Sequence, residues 1–567
     1  SQVAEALLRD GQDLSKVEVW IPTAGAGRRI RRSMAEKGVL SPRFTQPMRA
    51  ILPENRRIAE RFEREGAWAR VLKKMDRETL HPLFSGGKLE NEAARQKSGG
   101  VLCDLCDLLA EGGWRPTDDR VSEVCSDDAE RWSVLGEIYQ RYILILKNLG
   151  LIDPNEARFL EMANPLRAVG LSRLVVACIP DLPMASQRYA EALEKLGVKV
   201  EVLVWFSGEV AGGFDRWGRP IPGEWADCRI NVDASQIALT RSPEDEARQA
   251  LDFALSAKTT GDYALLIADS KMGDFFCSEV KNRGGNAFLP DGGRLDLSEA
   301  GVIAIEWERF RAKGDLRGLR RLLELPRFSR VLRGGSDLKT DDALAVCDFL
   351  IGETVLSDFS EAEAFSRVAF DSAKDKSQRR AQAQIFVDLV KSLFPETASS
   401  LLAKAWMSGG EGLEVARKVE RIYRSIVMSP LYRDDDAGIE SAFARTLKSE
   451  PIFDSSQAGD VELSGWLEAP WIESERLAVC GCVEGAIPSS VNGHAFLPDS
   501  KRSALGLADN AARFARDAYL FNCLLLARPV GEFRCYFSRF DAEGSPSLPS
   551  RLFLFFFQAE DGIRDAH

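Results

Sequence analysis

Few residues of this chain look able to do chemistry, and the first set lies near its start. The stretch PTAGAGRR (22–29) follows the β-branched run KVEVWIP (16–22) and leads into RRIRRSMAEKG, the strand–turn–helix order of a nucleotide-binding fold. A working phosphate loop reads G-x-x-x-x-G-K-[ST]: backbone amides cradle the phosphates, lysine neutralises them and a hydroxyl holds Mg2+. Here Ala24, Gly25, Ala26 and Gly27 supply small residues, but Arg28 and Arg29 stand where Lys and Ser/Thr belong. Arginine binds phosphate but offers no lone pair to a metal. The loop reads as degenerate, and nucleotide hydrolysis there is not expected.

The other candidates are weaker. Asp181 follows Ile179-Pro180 at the end of an apolar run, and it reads as a loop carboxylate rather than a metal ligand. Cys103 and Cys106 form the one CxxC, inside VLCDLCDLLA, where leucines at 102, 105, 108 and 109 mark a buried helical stripe. No second ligand pair accompanies them, so core packing is expected and no metal is assigned. Eleven scattered cysteines do not read as a disulfide framework. Of three histidines, His81 precedes a proline and His494 follows Asn492-Gly493; these two make no Ser/His/Asp arrangement. No catalytic residue is assigned.

Net charge is −11, but its distribution is uneven. Lys16 to Lys74 holds 15 Lys/Arg against 6 Asp/Glu, a balance of +9 that leaves −20 for the remainder. Arg309 to Arg333 holds 9 basic residues against 2 acidic ones. Such stretches suit a phosphate-contacting surface on an acidic protein. Arg28, Arg29, Arg31, Arg32 and Arg502 are the candidate contacts.

The elements that must position these residues alternate between α/β and helical character. LSRLVVACIPDLP (171–183), ASQRYAEALEKLG and VKVEVLVWF predict a βαβ unit with a parallel sheet. WSVLGEIYQRYILILKNLG spaces its apolar residues by three and four, predicting helix up to Gly150. TRSPEDEARQALDFAL (240–255) opens a second α/β region, Pro243 and its carboxylates marking a helix start. From about 300 to 455 the sequence is helical and charged, and α/β character returns at Val461. With 567 residues, three or four domains are expected. No apolar run approaches the ~18 residues of a membrane helix, and a cytoplasmic location is expected.

The block VELSGWLEAPWIESERLAVCGCVEGAIPSSVNGHAFLPDSKRSALGL (461–507) carries a family resemblance. Its strand Leu477–Cys482, then Glu484-Gly485 and Ile487-Pro488, resembles the second motor half of superfamily 1 helicases. With FLPD (496–499) and R-x-x-LGL (502–507), it looks most like the B subunit of AddAB-type helicase-nucleases, a RecC relative whose motor is inactive. The resemblance implies an α/β fold of two RecA-like lobes with parallel sheets, each carrying a helical insertion. The limits implied are 1–85 plus 166–238 for the first lobe and 86–165 for its insertion. The second lobe takes 239–300 plus 456–550, with its insertion at 301–455. Active members end a first-lobe strand in Asp-Glu and carry a Thr-Arg-Ala whose arginine stabilises the γ-phosphate. This chain has Ile179-Pro180-Asp181, and Asn522 to Leu526 with Arg528 one turn late.

The resemblance further implies DNA, as a duplex end or a single strand, and a separate active helicase subunit (AddA-like) as partners. Mg2+ and an iron–sulfur cluster are implied only for a C-terminal nuclease domain missing from this fragment. Pro180-Asp181, Pro290-Asp291 and Pro498-Asp499 all lack the downstream acid-x-Lys of such a nuclease. QAEDGIRD (558–565), behind Phe555-Phe556-Phe557, resembles a translated sequencing adapter, so 555–567 is expected to be foreign to the protein. A divergent active DNA helicase and a protein-interaction scaffold without DNA affinity are the alternative readings.

Overall fold

A computed structural model describes residues 2–8, 13–84, 89, 91–206, 213–226, 232–256, 263–269, 271–289, 292–334, 340–352, 355–367, 374–433, 436–453, 461–491 and 494–553. The 555–567 tail and the Pro290-Asp291 pair lie outside these residues. The fold is mixed α/β, with two parallel sheets and a large helical component.

The first sheet holds β1 (Val17–Trp20), β2 (Arg43–Thr45), β3 (Arg173–Ala177) and β4 (Lys199–Leu203), in the order β2-β1-β3-β4 and parallel throughout. β1 and β3 are buried along their whole length. Their apolar residues, Val17, Val19 and Trp20 in β1 and Leu174 to Ala177 in β3, suit strands covered on both faces. The βαβ unit expected at 171–203 is present: helix Met184–Lys195 crosses from β3 to its parallel neighbour β4.

The second sheet collects β5 (Ile237–Thr240), β6 (Tyr263–Ile267), β7 (Ala287–Phe288), β10 (Val461–Gly465), β11 (Arg476–Cys480) and β12 (Phe533–Ser538). Their order is β5-β12-β11-β6-β10-β7, with every pairing parallel. β8 (Gly293–Arg294) and β9 (Pro451–Ile452) form a separate antiparallel pair. This pair clasps the two ends of the long helical stretch between them.

The helical stretches before β3 and before β10 pack on each other. Trp68, Leu105, Leu135 and Tyr142 share one core with Trp307, Phe386, Val419 and Phe443. Burial of each such side chain contributes on the order of 2 kcal/mol or more, and polar ties give the packing its register. The Tyr432 hydroxyl donates to the Phe62 carbonyl at 2.7 Å, Gln96 Nε2 to the Gly438 carbonyl at 3.1 Å, and Arg445 pairs with Glu65 at 2.9 Å. Gly66 lies against the Tyr432 ring, where a Cβ would come 2.8 Å from the hydroxyl oxygen.

Beneath that core Arg64 is buried and forms a fork to Asp107 at 2.9 and 2.6 Å, with Asp153 at 3.0 Å. Cys103 and Cys106 are buried in helix Glu92–Glu111, and burial pushes the Cys103 thiol up to about 12. Among the described residues no helix is long and apolar enough to cross a membrane.

Candidate functional site

The degenerate-loop segment is helical. Helix Ala24–Glu36 begins directly after Thr23, whose hydroxyl accepts the Ala26 amide at 3.1 Å as an N-cap. This corrects the loop expected over Ala24, Gly25, Ala26, Gly27, Arg28 and Arg29: only Ile21 to Thr23 separate strand from helix. The two glycines serve close packing. A Cβ on Gly27 would stand 2.6 Å from Ile21 Cδ1, and one on Gly25 would stand 2.2 Å from a carboxylate oxygen of Glu468.

Glu468 comes from the second α/β region, in the 3-10 helix Trp466–Trp471 that holds both tryptophans of the signature block. Its buried carboxylate occupies the first turn of helix Ala24–Glu36, the place where partial positive charge from free amides favours an anion. Arg29 completes the contact. Its guanidinium reaches Glu462 at 2.9 Å, Ser464 Oγ at 3.4 Å and Glu468 at 3.9 Å. Arg29 is thus engaged within the protein.

The remaining candidates divide by environment. Arg28 is exposed and, among the described residues, has no carboxylate within ion-pair distance. Arg31 is exposed and lies over the Phe44 ring at 5.2 Å. Arg32 pairs with Glu36 at 3.4 Å, both side chains mostly in solvent. Arg502 departs from expectation: it is only 4% exposed and donates to the Leu497 carbonyl at 3.1 Å. Burial, then neighbouring Arg513, lowers its affinity for the proton. It braces a turn in which the Leu507 amide returns to the Arg502 carbonyl and Gly506 adopts φ +69°.

That turn docks on the helical stretch before β3. Trp114 Nε1 donates to the Leu505 carbonyl at 2.8 Å, Lys501 pairs with Asp127 at 2.6 Å, and Arg131 covers the Phe496 ring at 4.1 Å. The FLPD and LGL residues of the signature block therefore act as a clasp between chain regions. Within it the His494 Nδ1 accepts the Phe496 and Leu497 amides at 3.2 and 3.0 Å. Burial, then Arg502, keeps this imidazole neutral to lower pH than usual.

Asp181 meets Arg516 of helix Asn510–Leu526 at 2.9 Å, which fits the loop-carboxylate reading. Arg528 donates to the carbonyls of Ile472 and Ser474 at 2.9 and 3.2 Å, and burial pushes it down to about 10. It borders a cleft of about 1020 Å3 between the two sheets, shared with Arg29, Arg32, Trp205 and Trp471 but also with Glu36, Glu473 and Glu475. Opposite charges balance around it.

The second basic stretch is largely neutralised. Arg309 and Arg321 pair with Glu306, Arg311 with Glu308, Arg320 with Glu324 and Asp348, and Arg327 with Glu299. Among the described residues no group of three or more His, Cys, Asp or Glu is placed to hold a metal ion.

Charge counting pointed to the 28–32 arginines but missed Glu468 and Arg516. Each acts through a partner more than 200 residues away, and neither spacing nor composition encodes such a pairing. No protein-family model matches the chain, and no curated protein matches it.

Proposed function

We propose that this chain is the helicase-like, non-hydrolysing part of a helicase-nuclease subunit that processes DNA double-strand breaks. In this reading the two parallel sheets are the cores of two RecA-like lobes. The protein binds DNA near a duplex end and guides a strand toward a C-terminal nuclease, beside a separate active helicase subunit. The observation that carries the reading is the contact between Glu468, Arg29 and the start of helix Ala24–Glu36. A carboxylate of the same chain stands at the helix start, and the neighbouring cation is already paired. Such a junction favours a fixed scaffold over a cycle of nucleotide-driven opening and closing. Exposed Arg28, Arg31 and Arg32, three and four residues apart, lie on one helix face and supply the DNA-contacting candidates.

Fluorescence anisotropy with labelled single-stranded DNA at rising salt tests this. Affinity falls with a log–log slope of about −0.7 per phosphate contacted. Replacing Arg28, Arg31 and Arg32 together by alanine flattens the slope. A salt-independent signal, or none, overturns the DNA reading, and DNA-stimulated ATP hydrolysis by the chain overturns the non-hydrolysing one.

A second reading, a protein-interaction scaffold without DNA affinity, draws support from the ion-paired arginines of 309–327. In those residues the positive charge is already met by neighbouring carboxylates. Partner binding insensitive to salt, in a chain that ignores DNA, would favour it.

A further inference from the structure

A buried acid beside the second sheet has no role in the contacts described so far. Glu246 lies in the first turn of helix Pro243–Leu255 and is 0% exposed. Its Oε1 accepts the Gly481 amide at 2.6 Å, and the Ser538 hydroxyl lies beside the carboxyl. Its Oε2 is sealed from solvent without a partner. The carboxyl therefore sits where β5, β6, β11 and β12 end, joining three segments that are distant in sequence.

The surroundings offer no counter-charge. Asp269, just past β6, adds a like charge, and the Cys480 thiol of β11 is buried beside the carboxyl. The Ser538 hydroxyl comes from β12, while the Tyr536 phenol is directed to the Gln249 carbonyl and the Thr240 hydroxyl to the Phe537 carbonyl. No Lys, Arg or His among the described residues lies within ion-pair distance of Glu246. A buried carboxylate without a cation carries a desolvation penalty that one amide hydrogen bond offsets only in part.

What Glu246 holds gives the penalty a consequence. Gly481, at φ +74°, packs so closely that a Cβ would stand 2.9 Å from the Asp269 amide. The residues after it carry the last described segment of the chain. The Ser550 amide donates to the Cys482 carbonyl at 3.0 Å, the Glu484 amide to the Leu548 carbonyl at 2.9 Å, and the Arg551 amide to the Glu484 carboxylate at 3.2 Å. Leu552 and Phe553 follow into the core of the sheet.

We propose that Glu246 is a proton-operated latch: neutral, it holds the 481–484 turn and the 548–553 strap docked on it; ionised, it loosens both. The direction follows from linkage. Burial, outweighing the Gly481 hydrogen bond and the nearby Ser538 hydroxyl and joined by Asp269, raises this carboxyl from the ordinary 4.5 to about 7. The docked state binds the proton more tightly than an opened, solvated one. Docking is therefore firmest below 4.5, weakens as pH rises toward 7, and changes no further above it.

Hydrogen–deuterium exchange of the full chain from about pH 5 to about pH 8, corrected for the intrinsic pH dependence of amide exchange, tests the latch. Protection over 481–484 and 548–551 falls as pH rises, by at most about tenfold per pH unit for a single proton. In Glu246→Gln, an uncharged isostere, protection stays level across the range. A flat wild-type profile overturns the proposal, and so does a step that persists in Glu246→Gln. Ser538→Ala keeps the acid and removes a neighbouring hydroxyl that favours its charge, so its step moves to higher pH. An unmoved step in Ser538→Ala likewise overturns the latch, whether or not the glutamine variant folds.

Discussion

Glu468 fills the space that a side chain on Gly25 would need, its carboxylate oxygens lying 2.2 and 2.3 Å from the position of a Cβ there. Glycine at this site answers to a residue 443 positions away in the sequence, not to a local turn. Helix propensity alone makes Gly25→Ala stabilising by about 1 kcal/mol. The contact reverses the sign, and the expected effect is destabilisation of about 1–3 kcal/mol. Chemical denaturation of Gly25→Ala, Glu468→Ala and the double variant checks this. Most of the cost disappears when both changes are present, and purely additive effects would show that the two residues do not meet.

Arg64→Met is expected to be among the most damaging changes in the helical region. The guanidinium is 4% exposed and joins Asp107, Asp153 and Tyr142. Burial alone would raise the Asp107 carboxyl, but its hydrogen bonds to Arg64 and Asn155 outweigh this and hold it below the ordinary value. Removing the arginine strands buried Asp153 and half-buried Asp107, at a cost of about 3–5 kcal/mol. Urea titration reads the loss. Lowering pH to protonate Asp107 narrows the gap between variant and wild type.

His494 gives an acid sensitivity of opposite sign to that of Glu246. Its Nδ1 accepts two amides only while unprotonated, and burial lowers its proton affinity from the ordinary 6.5. The stability it contributes is present above 6.5 and is lost as pH falls below it. Asparagine can present its side-chain oxygen to the same two amides without titrating. The melting temperature of His494→Asn is therefore expected to fall less than that of wild type between about pH 7 and about pH 5. Parallel curves would rule out a contribution from this imidazole.

Arginines at 28 and 502 are expected to separate binding from stability. Arg28→Ala, at an exposed position, lowers DNA affinity and leaves thermal unfolding unchanged. Arg502→Ala empties a buried site against the Leu497 carbonyl and lowers the melting temperature, with no change in the salt slope of DNA binding. Anisotropy and differential scanning calorimetry on both variants check the pair.

The strands and amphipathic helices were legible because their signals are local. β3 and β11 are apolar runs, and helix Pro243–Leu255 announces itself with serine, proline and three carboxylates. The start of helix Ala24–Glu36 was misread because two glycines after a proline resemble a loop. Thr23, a good N-cap, was the competing signal, and long-range packing explains the glycines. Arg502 was misplaced for a similar reason. A basic residue beside Lys501 suggests surface, yet its guanidinium is turned inward to brace the chain. Neither the shared helical core nor the junction at Glu468 leaves a trace in periodicity.

The shared core also constrains the order in which the molecule can form. Trp68 and Tyr142 belong to the same apolar cluster as Phe443 and Leu447, so the early helices have no complete partner surface until some 300 further residues have left the ribosome. Closing so long a loop is entropically slow, and a partly made chain exposes apolar helix faces in the interval. Nascent chains halted before residue 447 should accordingly engage chaperones through the 62–146 segment, whereas longer ones should not.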